Sequence, residues 1–162
     1  MKTILKMSLA LATILAVAGF LTSSASASGE AAVYVTVTGG STADFVDTPH
    51  SLTHSGFTDF AVNVSVLRNG RATGEFLCAI PGVIVLAGVA TNGHVNADGS
   101  VTITGMEYGY DTVMGGYSDC PFSVTFRAGG AGVGGFDLFD CAFPAGLYDT
   151  EVVRVGSVQI SR

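Results

Sequence analysis

Apolar and polar residues alternate one by one along most of this chain, and no stretch repeats with the period of a helix. The alternation is clearest over 57–67 and over 72–80, where it predicts two strands with one dry and one wet face, as in an antiparallel sheet. The predicted dry face carries Phe60, Val62, Val64, Val66, Phe76, Cys78 and Ile80.

Eight short strands are predicted along the chain, at 32–38, 57–67, 72–80, 83–91, 101–108, 122–127, 136–141 and 152–160. The polar segment 41–56 and the segment 108–120 are predicted as loops. Eight antiparallel strands usually form an up-and-down barrel or a two-sheet sandwich. We expect an all-β barrel or partly open barrel, with the sandwich as the alternative. Lysines often protect the exposed edges of a sheet, and both lysines of this chain precede residue 7. Closure into a barrel would remove the exposed edges instead.

Two local patterns refine this expectation. Asn69-Gly70 stands between alternating runs and predicts a two-residue hairpin turn that sets Leu67 near Ala72. The run 83–91 is apolar without interruption, which is typical of a strand that is buried on both faces.

The amino terminus reads as an export signal. Lys2 and Lys6 precede an uncharged apolar run over 9–21, and Ala25-Ser26-Ala27 fits the small residues that signal peptidase requires. The run is shorter than the roughly 20 residues that span a membrane as a helix. The sequence therefore predicts a signal peptide over 1–27 and a single secreted β-domain over 28–162, extracellular or, in a Gram-negative cell, periplasmic.

Charge narrows the classes of partner. The predicted mature chain keeps five arginines and all 13 acidic residues, a formal net charge of −8. Such a surface repels phosphate groups, so we expect no nucleic-acid partner and no membrane attachment after the signal is removed. The partner is predicted to be an extracellular macromolecule or a small ligand, and the sequence leaves its identity and the oligomeric state open.

Three cysteines are an odd number for a secreted chain. A hairpin centred between Gly130 and Ala131 would set Cys120 directly opposite Cys141, near the distance that a disulfide needs. We predict a Cys120–Cys141 bond and a buried thiol at Cys78. A closed loop of about 20 residues would contribute about 3 kcal/mol.

Residues with a candidate role in binding are few. Tyr108, Tyr110 and Tyr117 cluster in the predicted loop, and tyrosines with glycines suit a binding surface. An apolar barrel interior lined by Phe60, Val62, Val64, Phe76 and Ile80 would be a second place for a small ligand.

No pattern assigns a catalytic residue, a cofactor or a metal. His50 and His54 are four residues apart, a ligand spacing only on a helix, and the nearby Pro49 and Gly56 make a helix doubtful. The chain lacks the G-x-S-x-G turn of many hydrolases.

The segments 56–80 and 156–160 resemble a set of small secreted bacterial domains of unknown function. Those domains carry a Gly-Phe start, a glycine-rich hairpin and a terminal Gly-x-x-Gln-Ile, which correspond here to Gly56-Phe57, Asn69-Gly70 and 156–160. The resemblance implies an all-β secreted module and no catalytic residues, and the chain departs from it over 108–143.

These observations favour a secreted, non-enzymatic β-domain that binds a partner or forms part of a surface. The alternative is a secreted enzyme, a hydrolase or isomerase, that would use carboxylates or tyrosines at the mouth of the barrel.

Overall fold

Antiparallel strands account for nearly all the residues that this computed structural model describes, which are 32–47, 56–111, 116–140 and 147–162. The strands are β1 (Val33–Asp47), β2 (Phe57–Leu67), β3 (Ala72–Ile80), β4 (Ile84–Val95), β5 (Val101–Asp111), β6 (Gly116–Arg127), β7 (Gly129–Gly130), β8 (Gly135–Asp140) and β9 (Leu147–Ser161). Within these ranges no helix is long and apolar enough to cross a membrane. The predicted signal peptide lies outside the described residues, so the boundary after Ala27 stays a prediction.

The sheet closes on itself. Neighbouring strands follow the order β1-β2-β3-β4-β5-β6-β8-β9, and β1 pairs with both β2 and β9. The ninth strand, β7, has only two residues and pairs with β9 beside the barrel. The predicted all-β barrel is confirmed, and the sandwich alternative is wrong.

The predicted dry face is the barrel interior. All of its residues are buried except Ile80, which is partly buried against the core. The bounds of β2 and β3 are those that the alternation predicts. Side chains of successive residues point to opposite faces of a strand. The apolar residues of each alternating run therefore all point into the barrel interior, away from water.

The predicted register of the β2–β3 hairpin is wrong by one residue. Val66, not Leu67, lies opposite Ala72. The N–H of Gly70 donates to the carbonyl of Leu67, and Gly70 has φ +82°, so the connection is a type I turn followed by a left-handed glycine. Opposed residues share a face, so only this register keeps the buried Val66 beside the buried Ala72.

The hairpin between β6 and β8 shows the same error. Phe126 lies opposite Phe136, whereas the predicted register would have set it opposite Gly135. The observed pairing again places buried side chains opposite buried ones. The predicted register, which set Cys120 directly opposite Cys141, is therefore wrong by one residue.

Two predicted loops are partly strand. β1 runs on to Asp47, and β5 and β6 extend into 108–120. β1 continues through Gly39, which pairs with β2 on one side and with β9 on the other. A Cβ at this position would lie 2.3 Å from the carbonyl oxygen of Ser157 on β9. The glycine allows close approach of two strands and makes no turn.

The apolar run 83–91 is not buried on both faces. Along β4, Leu86 and Ala90 are buried in the barrel, whereas the outward Val85 and Val89 are about half exposed. The expectation of a doubly covered strand is wrong because the barrel is a single sheet and none of the described residues forms a second layer over β4. An apolar outer face is thus left in contact with water.

Candidate functional site

The middle of the barrel is filled by phenylalanine rings. Phe76 on β3 lies at the centre, with ring centroids at 5.5 Å to Phe126, 5.6 Å to Phe136 and 6.3 Å to Phe122. Phe60 reaches the same cluster through Phe136, at 5.0 Å. Tilted and edge-on rings at these distances make favourable contacts beyond the burial of their area.

Two glycines make room for this cluster. A Cβ at Gly88 would lie 2.8 Å from the ring of Phe122, and one at Gly105 would lie 2.9 Å from the same ring. The inner faces of β4 and β5 are therefore bare backbone at this height, and the ring of Phe122 covers them. The residues predicted to line a ligand cavity, Phe60, Val62, Val64, Phe76 and Ile80, belong to or pack against this filled core.

Two carboxylic acids inside the barrel were missed by the sequence reasoning. Glu107 on β5 and Glu151 on β9 are 0% and 1% exposed. Glu107 lies opposite Cys120, and its Oε1 is 3.3 Å from the cysteine Sγ. The signal was present in the alternation, because Glu107 has the same phase as the buried Val101 and Ile103.

A buried hydroxyl belongs to the same interior. Thr58 on β2 is 0% exposed, and its Oγ1 has no hydrogen-bond partner among the residues that the structure describes. Polar groups without partners are costly to bury. The carboxyl groups of Glu107 and Glu151 and the hydroxyl of Thr58 are buried away from solvent, so they form no open site in this structure.

The prediction for Cys78 is confirmed, whereas the predicted disulfide is not tested. Cys78 is buried and lies outside any disulfide. Cys141 lies outside the described residues, so the Cys120–Cys141 bond stays a prediction that peptide mapping without reductant would decide.

The outward side of β3, β4 and β5 carries a continuous apolar surface, which we call the apolar wall. Val85 is opposite Tyr110, Val89 is opposite Met106, and Leu77 is joined through Ala87 to Tyr108. The six large side chains of the apolar wall, each between 38% and 56% exposed, are Leu77, Val85, Val89, Met106, Tyr108 and Tyr110. Scattered exposed apolar residues are normal, whereas side chains that form one contiguous apolar patch make a candidate binding surface.

Two of the three predicted binding tyrosines lie on this wall. Tyr108 and Tyr110 project outward from β5 and belong to no loop, which corrects the predicted setting. The backbone of Tyr117 on β6 lies opposite Tyr110, and its side chain lies outside what the structure describes. The pleat brings Tyr108 and Tyr110 to one face because they are two residues apart.

The charged neighbours of the apolar wall are acidic. Glu75 lies opposite Val89 on one side, and Asp119 lies opposite Tyr108 on the other. Both carboxylates are exposed, and neither has an ion pair or hydrogen bond with a described residue. The edges of the wall therefore carry negative charge that no described residue neutralises.

Four of the five arginines lie elsewhere on the barrel, whereas Arg71 immediately precedes β3 and lies opposite Asn92 of β4. Arg127 pairs with Asp137, and Arg154 pairs with Asp44 at 3.2 Å. Arg68 and Arg162 both lie over the ring of Tyr34, with guanidinium carbons 5.5 and 5.9 Å from its centroid. This chain thus covers its exposed Tyr34 with its own cations.

The metal hypothesis finds no support in the described ranges, where no group of three or more His, Cys, Asp or Glu side chains could hold an ion. His94 is exposed on β4. His50 and His54 lie outside the described residues, so no statement about their geometry is made.

Comparisons with known proteins add no family. No family model matches the chain, and neither a curated protein nor a solved structure matches it. The resemblance of 56–80 and 156–160 to secreted bacterial domains stays a prediction.

Proposed function

We propose that this chain is a secreted, non-enzymatic binding module whose binding surface is the apolar wall. The observation that carries the proposal is the half-exposed apolar side of β4, where Val85 and Val89 face water. A strand with apolar residues on both faces is ordinarily covered on both. Since the barrel supplies cover on one side only, a partner is the natural source of the other.

The chemistry of the wall suits a protein surface. Tyrosine and methionine are enriched in the centres of protein interfaces, and tyrosine gives a large contact area with few rotatable bonds. Tyr108 and Met106 are held on a hydrogen-bonded strand between β4 and β6, so they are ordered before the partner arrives. Such preorganisation lowers the entropic cost of binding.

The interior supports this proposal by being full. The rings of Phe76, Phe122 and Phe136 occupy the place where an eight-stranded barrel would hold one small ligand. Export after a signal peptide over 1–27 is part of the proposal and would place the module outside the cell or at the envelope.

The test is the size of the native assembly. We expect the protein secreted by its own producing organism to migrate in a complex larger than its monomer. Tyr108→Ser combined with Val89→Ser should release it as a monomer, because both substitutions remove apolar contact area. Thr38→Ser on β1, which lies across the barrel from β5, is the matched control and should leave the complex intact. A monomeric wild type, or an intact complex in the double variant, would contradict the proposal.

A second candidate function, a secreted enzyme, takes its support from Glu107 and Glu151. Two carboxyl groups inside a barrel could exchange protons with a bound substrate. The candidate tyrosines do not join them, because Tyr108 and Tyr110 project from the outer face. Native mass spectrometry of the secreted protein separates the two candidates: a retained small molecule that is lost in Glu107→Gln favours the enzyme, whereas a protein partner retained in that variant favours the binding module.

A further inference from the structure

The charges that surround the apolar wall indicate the kind of partner, and this inference rests on the proposed function. An exposed carboxylate borders the apolar wall on each side. Glu75 on β3 lies beside Val89, and Asp119 on β6 lies beside Tyr108. A partner that covers the wall must bring its own periphery close to these carboxylates. Like charges that meet at an interface cost free energy and slow association, whereas opposite charges steer the two surfaces together.

The chain itself shows how an exposed tyrosine is used on this barrel. Tyr34 lies beneath the guanidinium groups of Arg68 and Arg162. A cation over a tyrosine face is attracted by the negative charge of the ring. Tyr108 is more exposed than Tyr34, at 56% against 37%, and no described cation lies over its ring.

We propose that the apolar wall binds a basic polypeptide segment that presents aliphatic or aromatic side chains flanked by lysine or arginine. The apolar side chains would cover Val85 and Val89, a cation would lie over Tyr108, and further cations would face Glu75 and Asp119. The two carboxylates lie on opposite sides of the wall, which fits a segment that crosses β3, β4, β5 and β6 from one acidic edge to the other.

Other occupants fit the charges less well. A second copy of this chain would bring the same carboxylates toward one another, on a mature chain whose net charge is −8. An anionic lipid surface would be repelled by Glu75 and Asp119 for the same reason.

Two synthetic peptides test this inference by fluorescence anisotropy with the secreted protein. One alternates leucine with arginine over 12 residues, and its twin carries glutamate in place of every arginine. We expect the basic peptide to bind and the acidic twin to bind at least tenfold more weakly. Added salt should weaken the basic peptide's binding.

Three variants locate the interaction. Glu75→Gln with Asp119→Asn should weaken binding of the basic peptide by about fivefold, because two exposed charge pairs are lost. Tyr108→Ser should weaken it at least tenfold, and Thr38→Ser, on the far side of the barrel, should leave it unchanged. A thermal unfolding curve like that of the wild type shows that each variant is folded.

The outcomes separate this inference from the function it rests on. Equal binding of both peptides, reduced by Tyr108→Ser, would overturn the basic partner while leaving the wall as the binding surface. Binding of the basic peptide that is indifferent to Tyr108→Ser would contradict both. Failure of the basic peptide to bind at about 1 mM, or self-association of the wild type through Tyr108, would overturn the basic partner.

Discussion

The two sides of this barrel share one interior and differ in what they show to water. Polar side chains prevail on the outward side of β1 and β2, apart from the exposed Val33, Tyr34 and Val46 near the ends of β1. These polar side chains, which we call the polar wall, are Thr36, Thr38, Thr42, Asp44, Asp59, Asn63 and Ser65. On that wall polar groups bond to one another, as Thr42 Oγ1 does to Asp59 at 3.1 Å, and Asp44 pairs with Arg154. The apolar wall offers water Val85, Val89 and Tyr108 instead.

The difference is informative because the fold requires neither surface. Inner residues are fixed by packing, and a one-residue slip would exchange the two faces. Outer residues of a closed barrel need only be compatible with a strand and with water. The polar wall meets that requirement, whereas the apolar wall exceeds what stability needs, so we attribute it to binding.

The largest expected effect lies in the interior that both walls share. Phe76→Ala should lower the free energy of unfolding by about 3–5 kcal/mol, since it leaves a cavity at the centre of the ring cluster. Its chain neighbour Leu77 projects from the apolar wall, so Leu77→Ala should cost less than about 1 kcal/mol. Urea denaturation measures both, and equal losses would show that the apolar wall is part of the folding core.

A second substitution should destabilise the side of the barrel that carries the apolar wall more than the side that carries the polar wall. Gly105→Ala would place a Cβ 1.9 Å from the carbonyl oxygen of Val89, at the pairing of β4 with β5. We expect a loss of about 1–3 kcal/mol. Gly56→Ala, where a Cβ meets nothing within 4 Å, is the control and should be neutral. Amide hydrogen exchange should show faster opening in β4 and β5 than in β1 and β2; uniform opening would count against a local effect.

A smaller effect is expected on the side opposite the apolar wall. Arg154→Gln removes the ion pair with Asp44 and the contact with the ring of Phe57. Both partners are substantially exposed, so the cost should be about 0.2–1 kcal/mol and should shrink with added salt. Tyr108→Ser on the apolar wall should change stability by no more than about 0.5 kcal/mol and show no salt dependence. A salt-dependent loss at Tyr108 would mean that the wall is already engaged in charge interactions.

The smallest effect concerns the turn between β4 and β5. The pKa of Asp98 is held below its usual 3.8, chiefly by the Ser100 hydroxyl and then by the Ser100 backbone N–H, both of which donate to the carboxylate. A lowered pKa stabilises the fold above pH 3.8, and this contribution fades as the pH falls further. Asp98→Ala should therefore be slightly less stable than the wild type at pH 6, with a narrower difference at pH 2.5. Thermal unfolding at the two values checks this, and a difference that widens in acid would refute it.

The sequence was sufficient for the fold class and for the inward phase of the strands, because alternation records which side chains avoid water. It was insufficient for register, since turn residues such as Asn69-Gly70 fit more than one turn type and the pairing of Val66 with Ala72 decides among them. β1 was predicted to end near Gly39 because a glycine pair resembles a turn, whereas pairing with two strands at once keeps it extended.

Only part of the candidate site could be predicted from the sequence. Composition indicated the tyrosines Tyr108 and Tyr110 but placed them in a loop, since glycine and aspartate surround them. The apolar wall was missed because Val85 and Val89 were expected to be covered. Whether a second layer lies over a strand depends on the three-dimensional arrangement of the whole chain, and the local pattern carries no record of it.

Site-specific photo-crosslinking tests the central claim most directly. A benzophenone side chain at position 108 on the apolar wall, or at position 38 on the polar wall, is activated in the protein in the presence of its native surroundings. We predict one discrete protein adduct from position 108 and none from position 38. No adduct from position 108, or the same adduct from both positions, would contradict the assignment of the apolar wall as the binding surface.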